Sequence, residues 1–287
     1  MHILDSITNI LKAEHDLIVK DSHSVSGGSI NSTYKLSTNR GDFFLKLNAS
    51  TPPDFFEKEA EGLNLLKSAN TDIHIPEVIA VGNPDIDEPA FLLMEFIEEG
   101  RYGDSFAFGT QLAKLHQNYS DQFGLENDNY IGSLPQRNHR HNDWASFFSD
   151  ERITPQMEMA INSGKVNSGI QSNWDRLSAK LNDMLPPAKP SLLHGDLWGG
   201  NYLFDRTSRA VLIDPAVYYG HPEMDLAFSK MFGGFSADFY RGYESVSPLQ
   251  PGFEERVAVY NLYPLLVHVN LFGGHYTTQA IQLLNKF

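Results

Sequence analysis

At 287 residues without a single cysteine, the chain is long enough for one large or two moderate domains and can use neither disulfides, thiolate chemistry nor a cysteine-based metal site. Its 22 Lys plus Arg stand against 36 Asp plus Glu, a formal net charge of -14, the wrong sign for general attraction to nucleic acid or an anionic membrane. Any phosphate it binds must therefore be held by local geometry, and a reducing cytoplasm suits a cysteine-free chain.

Ile3, Leu4, Ile7, Ile10 and Leu11 recur at helical spacing and acidic residues interrupt them early, which predicts a packing helix rather than a signal peptide. From Leu17 to about Phe96 the pattern is mostly strand: "DLIVK", "STYKLS", "DFFLKLN", "PEVIAVG" and "AFLLMEFI", with a helix over 54–68 between the third and fourth. "STYKLSTNRGDFFLKL" reads as a hairpin turning on Asn39 to Asp42. After Gly100 helices are predicted over 105–116, 144–161, 173–185, 223–232, 254–272 and 276–284, with a loop-like segment over 122–142. No run approaches the roughly 18 apolar residues of a membrane span. The expected architecture is α+β and bilobal: a β-rich N-lobe over 1–97 and a mainly helical C-lobe over 98–287, with a ligand cleft between them.

One stretch carries concentrated chemistry, "LLHGDLWGGN", Leu192 to Asn201. Protein kinases use H-R-D-x-x-x-x-N, in which the Asp accepts the substrate hydroxyl proton and the Asn holds a metal ion. His194, Gly195, Asp196 and Asn201 keep that spacing, with Gly at the Arg position. A second metal-binding Asp should follow a short hairpin, and Asp214 ends the apolar run "AVLID". Upstream, Lys46 sits inside a strand and is followed by a helix offering Glu57, Glu59 and Glu61; Glu59 is the expected partner because it lies beside the buried side set by Phe56, Ala60 and Leu63. Gly27, Gly28 and Ser29 form a Gly-rich turn whose amides could cover a phosphate. Taken singly, each has a plainer structural reading, such as a snorkelling lysine or a hairpin turn. Their sequential order is what points to phosphoryl transfer, and the histidines show no compact spacing for metal hydrolysis.

Departures from protein kinases narrow the substrate. Gly195 replaces the Arg that reads an activation-loop phosphate, Pro215 and Ala216 follow the second Asp, and only eight residues separate Asp214 from Glu223. A small-molecule acceptor follows. The residues near Asp196, namely Trp198, Gly199 and Gly200, together with Tyr218 and Tyr219 of "AVYYG", predict aromatic faces without clustered carboxylates, suited to a sugar ring carrying one amine.

Over nearly its whole length the chain resembles the fructosamine kinases, or ketosamine-3-kinases, of the aminoglycoside-phosphotransferase-like kinase fold. The resemblance rests on "GGSINSTY", "FFLK", "FEKEAEGL", "IGSLPQ", "WASFFSDERI", "LLHGDLWGGN", "LIDPAVYYGHPEMDLA" and "LYPLLVHVNLFGG". It implies ATP-dependent phosphorylation of the sugar 3-hydroxyl of ketosamines, on small amines or glycated protein amines. It further implies Asp196 as base, Asn201 and Asp214 as Mg2+ ligands, and Lys46 as the phosphate-binding lysine held by Glu59. Met94, Glu95, Phe96 and Ile97 resemble the adenine-binding hinge, with backbone groups of Glu95 and Ile97 offered to the base. Trp198 is implied as a wall against the sugar or a brace for its loop, and His194 and Asp225 as structural supports. A kinase for an aminoglycoside or choline, and a nucleotide-binding pseudokinase, remain the alternatives at this point.

Overall fold

Period-two burial builds the first half of the molecule. In the computed structural model, which describes residues 3–25, 31–82 and 89–287, the strands β1 (Val19–Ser24), β2 (Ser32–Thr38), β3 (Gly41–Asn48), β4 (Val78–Gly82) and β5 (Ala90–Glu95) join in the order β1-β2-β3-β5-β4, antiparallel throughout. Alternate side chains go to opposite faces. Leu45 and Leu47 of β3 and Phe91 and Leu93 of β5 bury against Ile7 and Leu11 of helix α1 (Ile3–His15). Phe44, Leu92 and Met94 turn the other way, toward Phe56, Leu63 and Leu66 of helix α2 (Phe55–Ser68). Lys46 belongs to this second face, so strand phase alone delivers its ammonium to the side where α2 lies. The first strand starts later than "DLIVK" suggests, because Asp16 turns at φ 53° and the Leu17 N–H donates to the Leu11 carbonyl at 3.1 Å, closing α1.

The second half contains helix α3 (Ser105–Leu115), the hairpin β6 (Asn129–Ile131) and β7 (Leu134–Gln136), and helices α4 (Trp144–Phe147), α5 (Thr154–Asn162), α6 (Gln171–Ser178) and α7 (Leu181–Met184). Short strands β8 (Ser191–Leu193), β9 (Tyr202–Phe204), β10 (Ala210–Leu212) and β11 (Tyr218–Gly220) follow, then α8 (Glu223–Ser229), α9 (Ala237–Glu244), α10 (Phe253–Tyr260), α11 (Leu262–Phe272) and α12 (His275–Leu284). Several expectations change. The segment over 122–142 contains a hairpin; the helix over 144–161 is split by a π-helical stretch, Phe148–Ile153, around the fully buried Arg152; the helices expected over 173–185 and 254–272 each divide in two; and α9, which the sequence reading passed over, is capped by Ser236.

The two halves share a core. Phe56, Leu63, Leu92 and Met94 bury together with Leu112, Leu192, Leu197 and Leu226. Main-chain bonds add a second tie, since His74 donates to Ala210 at 2.8 Å and accepts from Leu212 at 3.1 Å, fixing β10 beside the chain that leads into β4. No helix among the described residues is long and apolar enough to cross a membrane.

Candidate active site

The loop after β8 is held by buried groups that never reach solvent. Asp225 on α8, 1% exposed, accepts the main-chain N–H of His194 at 2.8 Å and of Gly195 at 2.9 Å, one on each carboxylate oxygen, and His116 Nε2 stands 3.2 Å from it. Burial alone would push Asp225 up; His116 and the Gly195 N–H outweigh it and hold the carboxyl below its ordinary range. His194 is fully buried, with Nε2 2.9 Å from the Ile213 carbonyl and Nδ1 accepting the Asp196 N–H at 3.2 Å. This pairing requires the neutral Nε2–H tautomer, in keeping with burial pushing the imidazole pKa down. Gly195 adopts φ 83°, where a side chain is strained, and a Cβ there would lie 2.0 Å from the Ala216 carbonyl oxygen. The Gly in place of the kinase Arg is therefore a packing requirement of this loop.

That scaffold points Asp196 into the cleft. Asn201 Nδ2 donates to Asp196 Oδ2 at 2.7 Å and to its carbonyl at 2.9 Å. Burial, helped by the nearby Asp214 and Asp225 carboxylates and opposed by Asn201, raises the Asp196 carboxyl to about 7, the range in which a general base works best at neutral pH. With its nitrogen committed to Asp196, the Asn201 amide keeps its oxygen for a cation.

Opposite stands the N-lobe lysine. Lys46, 4% exposed, bonds Glu59 of α2 at 2.6 Å and also Asp214, which follows β10. Burial alone would lower the ammonium pKa, but the Asp214 and Glu59 carboxylates outweigh it and hold Lys46 charged. Two local features bring the trio together. Asp214 sits at φ 54°, a strained setting for a non-glycine residue of the kind that gathers at functional sites. Gly62, one turn beyond Glu59, lets α2 settle on Pro215 and Val217, with a Cβ there 3.3 Å from Val217.

Asn201 and Asp214 offer only oxygen donors, a hard set that suits Mg2+. Among the described residues no group of three or more His, Cys, Asp or Glu could hold a metal ion. Two oxygen donors fit an ion that nucleotide phosphates help to hold.

Several expected residues are placed otherwise. Tyr218 does not face a substrate: it is fully buried in the C-lobe core, its ring 5.7 Å from Phe147 and 3.9 Å from the Arg152 guanidinium. Pairing with Leu193 of β8 forces that direction. Tyr219 points the opposite way but is half-buried against the shared core, its main chain bonded to Gly124 at 2.8 and 2.9 Å, and it is not among the cleft-lining residues. Trp198 does line the cleft. In the connector, Met94 is buried, the Glu95 N–H is already donated to the Glu77 carbonyl at 2.8 Å and its carboxylate stands 3.1 Å from His74, so of the Glu95 backbone groups the N–H is not on offer to a base. The Phe96 ring lies 4.5 Å from the Lys35 ammonium, and Ile97 is half-buried. Gly27, Gly28 and Ser29 lie outside the described residues.

Sequence reasoning missed a polar brace beneath the Asp214 loop. Asn129 donates to the Val217 carbonyl at 2.8 Å, Gln136 to the Ala216 carbonyl at 3.0 Å and to Asn129 Oδ1 at 2.8 Å, and Arg152 to Asn138 Oδ1 at 2.7 Å. It also missed the buried pair of Glu223 and Arg256, with bonds of 2.6 and 2.8 Å. The quoted motifs "IGSLPQ" and "WASFFSDERI" contain Gln136 and Arg152, but partners so distant in sequence leave no local signal.

A two-lobed fold in which an N-lobe lysine, a helix glutamate and the Asp196, Asn201 and Asp214 set share one cleft defines a kinase-like phosphotransferase with an alcohol acceptor. The chain belongs to the fructosamine kinase family, whose model matches residues 3–287. It is 40% identical over 265 residues to a probable ketoamine kinase of Enterococcus faecium, covering 92% of this chain and 94% of that one. It is also 40% identical over 269 residues to a chloroplastic protein-ribulosamine 3-kinase of Oryza sativa subsp. indica, covering 92% and 78%. The crystal structure of a candidate fructosamine-3-kinase from Haemophilus somnus superposes with a TM-score of 0.88 at 29% identity, covering 99% and 97%. A thermostable mutant of the aminoglycoside phosphotransferase APH(4)-Ia shares the fold, with a TM-score of 0.63 at 16% identity over 98% and 97%.

Proposed function

We propose that this chain transfers the γ-phosphoryl group of ATP to the sugar 3-hydroxyl of a ketosamine, a ketose joined through C1 to an amine. The observation that carries the reading is the contact of Lys46 from the N-lobe with Asp214 from the C-lobe across the cleft that holds Asp196. Residues 1–97 supply the nucleotide side, including the connector, and residues 98–287 the acceptor side. Lys46, held by Glu59, fixes a phosphate oxygen. Asp196 takes the proton of the acceptor hydroxyl as the new O–P bond forms and the bond from the γ-phosphorus to the bridging oxygen of ADP breaks. Asn201 and Asp214 would hold Mg2+, which when bound offsets charge on the β- and γ-phosphates. Trp198 offers a face for the sugar, and a cytoplasmic setting with ready ATP belongs to the same reading.

An identity of 40% to proteins named for ketoamines and ribulosamines supports the acceptor class. The test is incubation with ATP, Mg2+ and fructosyl-lysine, with the product located by phosphorus and carbon NMR. Phosphate on O3 is expected; no ATP turnover with any ketosamine would overturn this acceptor and leave a kinase for another alcohol or a nucleotide-binding pseudokinase.

A further inference from the structure

Only eight residues separate Asp214 from Glu223, which leaves no room for a long activation loop. In protein kinases the N-lobe helix must be positioned for its glutamate to reach the lysine, and ordering the activation loop is one means of doing so. Here Glu59 stands on Lys46 at 2.6 Å without that loop. Another part of the chain must set α2.

The β6–β7 hairpin reaches α2 from the C-lobe. The Tyr130 hydroxyl donates to Asp54 Oδ1 at 2.6 Å, and the Tyr130 ring lies 5.2 Å from that of Phe55. Asp54 occupies the N-cap position of α2, where an aspartate ordinarily accepts an N–H of the first helical turn. It makes no such capping bond. The carboxylate is given to the hairpin instead, so a local cap is exchanged for a bond between lobes. Burial and the Asp54 carboxylate push the Tyr130 hydroxyl up to about 12, and it stays a donor at neutral pH.

The hairpin is itself tight and anchored. Gly132 takes φ 56° at the first position of a two-residue turn, with Ile131 paired to Leu134. On the C-lobe side the buried Asn129 and Gln136 donate to the Val217 and Ala216 carbonyls at 2.8 and 3.0 Å. Adjacent residues, Asn129 and Tyr130, therefore hold the loop that follows Asp214 and the helix that carries Glu59. Along α2, Glu59 lies between two supports, Asp54 bonded to the hairpin and Gly62 seated against Val217.

We propose that Tyr130 is a positioning residue: by holding Asp54 across the cleft it fixes α2 where Glu59 meets Lys46, the task that an ordered activation loop performs in protein kinases. The inference rests on the phosphotransferase reading above and not on which alcohol accepts the phosphate.

The test is the affinity for ATP with Mg2+, read by titration calorimetry in Tyr130→Phe, Asp54→Ala and Asp54→Asn, each also made on a Glu59→Gln background. Turnover of fructosyl-lysine is measured alongside. Tyr130→Phe removes only the hydroxyl and keeps a ring on Phe55, so the fold is preserved. Tyr130→Phe and Asp54→Ala should each weaken ATP binding about tenfold, as for loss of one hydrogen bond to a charged group. Asp54→Asn keeps an acceptor oxygen and should recover most of the affinity. On the Glu59→Gln background none of the three should matter, because the helix then has no ion pair to deliver. A bond that served stability alone would lower the melting temperature and leave ATP affinity at the wild-type value. Direct contact of Tyr130 with the ligand would make Tyr130→Phe costly and Asp54→Ala silent, and the loss would persist on Glu59→Gln. Either result overturns the proposal. If the wild type binds ATP but turns over no ketosamine, the acceptor reading fails while the affinity series still decides the role of Tyr130. A wild type that binds no ATP overturns both.

Discussion

Gly195 and Ala216 are in main-chain contact so close that the catalytic loop and the Asp214 loop behave as one joint. A Cβ on Gly195 would stand 2.0 Å from the Ala216 carbonyl oxygen, and the Ala216 N–H donates to His194 at 2.9 Å. Gly195→Ala must therefore push the two loops apart in addition to straining its own φ. Melting should occur at lower temperature, with a backbone cost of about 1–3 kcal/mol, and kcat should fall about 100-fold, as for a displacement of roughly 1 Å at the reacting groups. A wild-type melting curve and turnover would show that the loops move freely.

Asp196→Asn removes the proton acceptor while keeping an amide-sized side chain beside Asn201. Turnover should fall about 10²–10⁴-fold with ATP affinity retained. Titration calorimetry beside steady-state kinetics separates the two, and a wild-type kcat would remove Asp196 from its role.

Asp214→Asn takes away a metal carboxylate and one partner of Lys46. The Mg2+ concentration for half-maximal activity should rise about tenfold or more, and nucleotide affinity should weaken with it. An unchanged Mg2+ titration would contradict the assignment.

His221 gives a pH dependence with a definite sign. It is 1% exposed, and burial together with the Arg256 charge pushes its pKa from 6.5 down to about 3. Between those values the unfolded chain binds a proton that the native state refuses, so stability is lost as pH falls through this window, by up to about 1.4 kcal/mol per pH unit. Urea unfolding at pH 7.5 and pH 5 should show a larger drop for the wild type than for His221→Gln. Equal drops would mean that His221 is protonated in the folded state.

What was legible follows from physical range. Lys46 could be placed because strand phase is set by neighbours two residues away, and the catalytic loop because its groups lie within one short segment. Tyr218 was misplaced for the same kind of reason: β11 is three residues long, too short to reveal which of two adjacent tyrosines faces inward, and only pairing with Leu193 decides. Arg152 was invisible because "WASFFSDERITPQMEMA" reads with continuous helical spacing, whereas its guanidinium bonds Asn138 and lies against the rings of Tyr218 and Phe147. Tertiary partners of that kind override local pattern. Asp225 was readable in its role only through the family resemblance, since its bond to Gly195 spans 30 residues.

The central claim is that the acceptor is a ketosamine, and the most direct measurement is kcat/KM for fructosyl-lysine and ribulosyl-lysine beside kanamycin and choline, with ATP and Mg2+ held constant. The account predicts that at least one ketosamine exceeds both other alcohols. An aminoglycoside or choline outcompeting both ketosamines would contradict it.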